Sequence, residues 1–555
     1  MYRVLLLAAL VLPGHPASAA SVRADHGMVA SEHRLASEAG LRLLQQGGNA
    51  VDAAIAASLA AGVVNPTSCG IGGGGFMLIF DRRRREVFAL DYRESAPAAA
   101  APEMFVRNGA VVSDLSLHGG LAVAVPGEVA GLAAALKRFG TLPWRAVARP
   151  AIEYARDGFA VEAHLAEAVS RSLERIRERP ALAAILLHPD GSPLQTGQIL
   201  RQPHLARTLE SIADEGPRAF YEGPVAEAIA SAVRSDGGVL DRGDLVAYRP
   251  VWRRPLRGRF HGYEIYGMPP PSSGGGVILT ILNQLRTDDL TALGLGSCTY
   301  LHLLAESMQF AFADRAALYG DPDFTDVPLA RLLSPARGLR LRRLQSAATT
   351  FSPRFYGDFV TAADSGTSHL SIVDADGNAV ACTTSINTTF GSMVVAGDTG
   401  IILNDTMDDF SARPGAPNVF GLVGSEANAI APGKRPLSSM SPTIAMRGGE
   451  VAAVAGASGG PFIISGTLQA LLDSLVFGRD AEAAVSAPRI HHQWMPPTLV
   501  VEPGIDALKR LALRRLGHRI VEVPGIGAVQ LVLRSPSGAL EGAADPRKGG
   551  RAAGW

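Results

Sequence analysis

Cysteine is nearly missing from this chain. Three residues, Cys69, Cys298 and Cys382, serve 555 positions. They lie far apart, so neither a disulfide framework nor a metal-ligand spacing follows from them. Each reads as a small buried hydrophobe. Net charge is missing too. Lys plus Arg and Asp plus Glu both total 52, so no overall field favours nucleic acid or an anionic membrane. No apolar run reaches the roughly 18 uninterrupted residues that a membrane helix needs. The one dense basic run is Arg82 to Arg85. It falls between two strand-like segments, 75–80 and 86–92, and is expected to be a solvated hairpin turn rather than a phosphate site.

What is present is a globular composition, 47% hydrophobic and 19% charged. The length allows several domains or one large, elaborated one. The chain opens with Arg3, then VLLLAALVL (4–12), then ASAA (17–20). A short positive stretch, a brief apolar run and small residues make a secretory signal over 1–19. The expectation is an exported protein, periplasmic or extracellular, with no membrane partner.

Helical periodicity covers 32–48 and ends on a glycine pair. The Ala-rich run 50–64 follows and is apolar on most faces, so a buried helix is expected. Gly70, Gly72 and Gly75 match G-x-G-x-x-G, but the order is helix, glycines, strand. A dinucleotide fingerprint needs strand, glycines, helix, so close backbone packing is the better reading. Helices dominate from about 143 to 232, and extended runs return near 255–268. Helices are expected again over 277–285, 305–320 and 331–344, the last as a solvated basic face. Residues 345–366 lose periodicity and read as a linker.

That linker ends in DSGTSHLS (364–371). Two readings stand. Either Gly366-Thr367 is a loop leading into a strand, or the chain is cut before Thr367. A threonine hydroxyl is a poor nucleophile, but an N-terminal threonine carries its own base, the α-amine, with an ordinary pKa near 7.7–8.0. Gly366 leaves its carbonyl open to attack by the Thr367 hydroxyl. Residues 368–373 and 379–386 then read as a hairpin about the turn DADGN (374–378). A hairpin centred on Asp376 places Ser385 opposite Thr367, with Asn387 on the same face two residues on.

A set of short motifs, in order along the chain, resembles the γ-glutamyltransferases (γ-glutamyl transpeptidases) of the N-terminal nucleophile hydrolase superfamily. They include GMVAS (27–31), GGNAVDAA (47–54), GIGGGG (70–75), DYRESAP (91–97), MPPPSSGG (268–275), FADR (312–315), TSHLS (367–371), NTTFGS (387–392), MDDFS (407–411), PLSSMSPT (436–443), HHQW (491–494) and DPR (545–547). The resemblance runs from about Gly27 onward. It implies an α+β fold, a four-layer αββα sandwich. It implies a precursor that cuts itself into a large subunit, 20–366, and a small subunit, 367–555, which stay together as one globular unit. It implies acyl transfer from a γ-glutamyl amide such as glutathione, through an ester on Thr367, to water, an amino acid or a peptide.

The resemblance also assigns roles. Ser385 orients the nucleophile. Gly459 and Gly460 supply the oxyanion hole, where glycine lets backbone N–H groups come close. Arg93, Ser438 and Ser439 hold the α-carboxylate, and Asn387, Thr406 and Asp409 the α-ammonium. No cofactor, metal or nucleic acid is expected; the adjacent His491 and His492 point to opposite faces of a strand. The chain departs from the family pattern in several places. Ser368 and Ser385 stand where the family usually has Thr. Thr406 stands where bacterial members commonly carry Gln or Glu, so weaker or relaxed γ-glutamyl recognition is expected. Ser458 and Pro461-Phe462 depart beside the oxyanion glycines. Phe420 replaces a common Tyr in an expected lid, 414–421. A glutaryl-cephalosporin acylase would use the same nucleophile without needing Asp409. A protein that keeps the fold but never matures would be a binding protein.

Overall fold

The computed structural model describes residues 21–357 and 367–555. The expected signal segment and the expected scissile residue Gly366 lie outside the described residues. Two seven-stranded antiparallel sheets stack at the centre. The first runs, in order, Arg551–Gly554, Met28–Ser31, Ser368–Val373, Ala379–Ser385, Gly74–Asp81, Glu86–Tyr92 and Val251–Arg253. The second runs Val22–Ala24, Leu540–Ala544, Ala528–Arg534, Glu450–Ser458, Thr443–Arg447, Tyr263–Gly267 and Leu256–Phe260.

Strand alternation explains the layering. Within Gly74–Asp81, Phe76, Leu78 and Phe80 face the other sheet and pack with Ile444, Met446, Val454 and Val532. Met77 and Ile79 point the other way, onto the buried helix Ala50–Val64 and its neighbours. The second sheet turns Ala445, Ala455 and Leu531 outward onto helices Gly274–Leu285, Cys298–Leu318 and Phe462–Leu475. The result is helix, sheet, sheet, helix. Both sheets are covered on both faces, so nearly every residue of the central strands is buried. Among the described residues no helix is long and apolar enough to cross a membrane.

Several elements run longer or differ in detail from the periodicity. The helix at 277–285 begins at Gly274, and that at 305–320 spans Cys298–Leu318, capped by Ser297 Oγ accepting from the Tyr300 N–H. Buried on almost every face, the latter helix has no polar stripe to mark its first turns. The basic stretch 331–344 is two helices rather than one solvated face, with Arg337 paired to Asp314 and Arg342 to Asp288. The first part of the expected linker is packed. Tyr356 is buried and donates to Glu306 at 2.5 Å.

Candidate active site

The hairpin that carries Thr367 pairs Ser368 with Thr384 through to Val373 with Ala379, symmetric about Asp376. That is the register expected from the turn. Just beyond the last pair, Thr367 Oγ1 lies 3.2 Å from Ser385 Oγ. Ser385 Oγ also accepts the Asn387 N–H at 2.8 Å. Asn387 has a positive φ of 79°, which turns the chain away from the strand. Its side-chain amide donates to the Asp405 carbonyl at 3.2 Å.

Ser385 stays in place because the glycine run presses against it. A Cβ on Gly73 would sit 2.0 Å from the Ser385 carbonyl oxygen, and one on Gly75 2.2 Å from that of Thr383. The run is a contact surface between backbones. Behind the hairpin, Glu128 accepts from Ser58 Oγ and Thr384 Oγ1 at 2.6 and 2.8 Å. Burial pushes its carboxyl up to about 7.

Thr367, Ser385, Asn387, Arg93, Asp409, Ser438, Ser439 and Gly460 line one cleft, with Phe420, Met440 and Ile463. Arg93 follows strand Glu86–Tyr92 and is 1% exposed. Its guanidinium pairs with Asp409 and with Glu94, the latter at 3.3 Å. Burial pushes the Asp409 carboxyl up, and Arg93 opposes that shift. The cleft thus holds a cation and an anion that satisfy each other. Ser439 Oγ accepts from Arg315, and Arg315 also donates to Ser273 Oγ at 2.9 Å. Gly459 and Gly460 form the elbow between strand Glu450–Ser458 and helix Phe462–Leu475, with φ of 116° and 53°. Only glycine adopts such angles without strain.

Thr406 is placed beside Glu94. It is fully buried and donates its hydroxyl to Glu94 at 2.9 Å, and it does not line the cleft. Its side chain is too short to reach past Glu94. The segment 414–421 does cover the cleft, through Phe420. Its Val419 N–H donates to Asp408, and Gln493 donates to the Phe420 carbonyl. Arg315, Glu94 and Gln493 were given no role from sequence. Glu94, Arg315 and Gln493 stand inside the DYRESAP, FADR and HHQW motifs, and that is the signal the sequence offers for them. His491 and His492 serve structure: His491 bonds Ser465 and Gln493, and His492 accepts the Trp494 N–H. Among the described residues, His302, Glu306 and His518 bring ligand-type atoms within 4.8 Å of one another. They are already engaged. The two imidazoles share a 2.7 Å hydrogen bond, and Glu306 accepts from Tyr356 and Gln309.

Comparison with known proteins points the same way. The family described as gamma-glutamyltranspeptidase matches residues 36–555. A glutathione hydrolase proenzyme of Escherichia coli is 43% identical over 531 residues, covering 95% of this chain and 91% of that protein. One from Pseudomonas aeruginosa is 40% identical, covering 99% and 98%. Among solved structures, a cephalosporin acylase from Bacillus halodurans superposes with a TM-score of 0.86 at 29% identity, covering 99% of each chain. A Helicobacter pylori gamma-glutamyltranspeptidase gives 0.57 at 40% identity, covering 57% of this chain and 91% of that one.

Proposed function

The chain belongs to the gamma-glutamyltranspeptidase family, and from that premise we propose that Thr367, freed as an N-terminus by cleavage after Gly366, carries its chemistry. The protein is a γ-glutamyl transferase and hydrolase made as a proenzyme. The large subunit is 20–366 and the small subunit 367–555. Residues 1–19 direct export.

The substrate's α-amino acid head enters the cleft and takes over the Arg93–Asp409 pair. Its carboxylate moves onto Arg93 with Ser438 and Ser439, and its ammonium onto Asp409 and Asn387. A fork-shaped guanidinium suits a carboxylate. The exchange replaces one ion pair by two, so no buried charge is left alone. The γ-carbonyl then lies over Thr367. The free α-amine takes the Oγ proton as the Oγ–C bond forms, and Ser385 holds Oγ in line. Negative charge on the carbonyl oxygen goes to the N–H groups of Gly459 and Gly460. The proton passes to the leaving amine as its C–N bond breaks. Water or an amino acid then attacks the γ-glutamyl ester, and the amine again serves as base.

The observation that carries this reading is the 3.2 Å Thr367–Ser385 contact in the same cleft as the Arg93–Asp409 pair. The test is intact mass under denaturing conditions, with turnover of a γ-glutamyl anilide, for wild type and Thr367→Ala. Wild type is expected to give two chains, one beginning at Thr367, and to turn over; the variant is expected to stay whole and inactive. An uncut wild type would sink the reading in favour of a binding protein. The likeness to an acylase raises a second reading, and a glutaryl anilide tests it: preference for glutaryl over γ-glutamyl would favour it.

A further inference from the structure

The main-chain carbonyl of Thr367 accepts a hydrogen bond from Lys548 Nζ at 2.7 Å. The same ammonium lies 3.0 Å from Glu32 Oε2. Glu32 in turn accepts from Ser368 Oγ at 3.0 Å and from the His369 N–H at 3.3 Å. Three distant stretches of sequence therefore meet at one residue. Glu32 follows strand Met28–Ser31 near the start of the described chain. Lys548 lies between strands Leu540–Ala544 and Arg551–Gly554 near its end.

The ladder explains why the clasp is needed. Strand Ser368–Val373 pairs with Met28–Ser31 only from Leu370 onward. Thr367, Ser368 and His369 run past the last paired residue on that side. Glu32 and Lys548 supply, with side chains, the hydrogen bonds that a longer neighbouring strand would have given. Thr367 is thus held at its carbonyl, and the two residues after it are held by Glu32.

We propose that Lys548, held by Glu32, is a positioning residue for the reaction: it fixes the Thr367 main chain, and its charge keeps the freed α-amine in the base form. This rests on Thr367 being the nucleophile. Covalent geometry puts a residue's nitrogen about 3 Å from its own carbonyl oxygen. The ammonium therefore lies within about 6 Å of the α-nitrogen, where a like charge disfavours protonation. Glu32 acts oppositely, and its oxygens are engaged by Lys548, Ser368 and His369. Other charged or titratable groups around Thr367 are His164, which bonds Thr67 on the adjoining loop, the buried Cys69, and Arg93 with Asp409 across the cleft. Burial keeps the His164 ring neutral, down to about 3, and pushes the Cys69 thiol up. Arg93 and Asp409 offset each other. Lys548, among the described residues, is a cation in direct contact with Thr367.

The test is the pH profile of kcat/KM for a γ-glutamyl anilide, normalised to the cleaved fraction by intact mass, for wild type, Lys548→Met, Lys548→Arg and Glu32→Gln. Loss of the Lys548 charge is expected to move the acid limb up by about one unit and to lower kcat about 10-fold or more at neutral pH, with KM little changed. Glu32→Gln is expected to move the limb down, and Lys548→Arg to restore it. A merely structural role lowers kcat at every pH and moves neither limb, which would overturn the proposal. If Lys548→Met fails to mature, the opposite shift in Glu32→Gln decides. Acid-quenched peptide mapping of wild type with substrate separates the two ideas. A γ-glutamyl mark away from Thr367 overturns the nucleophile reading. A mark on Thr367 with unmoved limbs overturns the role of Lys548 alone.

Discussion

At the scale of single residues the site is a set of mutual satisfactions that substrate must exchange. On the proposed reading, Asp409 is the group that separates a γ-glutamyl head from a glutaryl one, since only the former has an ammonium. Asp409→Asn is expected to cut kcat/KM for a γ-glutamyl anilide about 100-fold, the scale of losing one desolvated charge partner. Any glutaryl turnover should be spared; an equal loss on both substrates would show that Asp409 only props up Arg93. Glu128 gives a prediction about stability. Its carboxyl is raised to about 7 in the fold from an ordinary 4.5, so the folded protein holds a proton that the unfolded chain has released. Stability is therefore fully favoured below pH 4.5 and is lost as pH rises through 7. The loss is on the order of 3 kcal/mol. Glu128→Gln carries no such proton. It should melt higher than wild type at pH 8, with the gap closing towards pH 4.5, as thermal denaturation at several pH values would read.

At the scale of elements, the glycine run and the hairpin decide where Ser385 sits beside Thr367. Gly73→Ala would drive a methyl into the Ser385 carbonyl, and backbone on both sides has nowhere to go. The expected cost is about 2–4 kcal/mol of stability. A fall in kcat with little change in KM should accompany it, because Ser385 moves but Arg93 does not. Kinetics at a temperature where the variant is fully folded would check this. This is also the scale at which the sequence was most legible. The turn residues 374–378 set a two-fold axis at Asp376, and alternation on either side set the faces, so the Thr367–Ser385 pairing followed from local chemistry alone. The contact of Thr406 with Glu94 was not legible, because the two are over three hundred residues apart in sequence and leave no local pattern. Arg315 lay hidden in a helix buried on nearly every side, where no amphipathic stripe marks a functional face. Lys548 and Glu32 are brought together by strand order, which neither periodicity nor turn chemistry encodes.

At the scale of the whole molecule, the first sheet interleaves strands from both sides of the expected cut. Ser368–Val373 lies between Met28–Ser31 and Ala379–Ser385, and Ala379–Ser385 lies against Gly74–Asp81. A break before Thr367 therefore severs a connection without opening a layer. The matured protein is expected to elute as one species in native size exclusion and to part into two chains only in denaturant. Its two chains should unfold in one transition, since neither has a complete sheet alone. Separate transitions for the two chains would contradict the shared sheet.

The strand Arg551–Gly554 lies at the edge of that same sheet, against Met28–Ser31, and the loop before it brings Lys548 to Thr367. A ribosome makes these residues after all the others that build the cleft. Until they emerge, the sheet lacks its outermost strand and Thr367 lacks a support. On the reading that Thr367 is the nucleophile, the order of synthesis acts as a clock: that residue's last side-chain support arrives only once translation has passed Lys548.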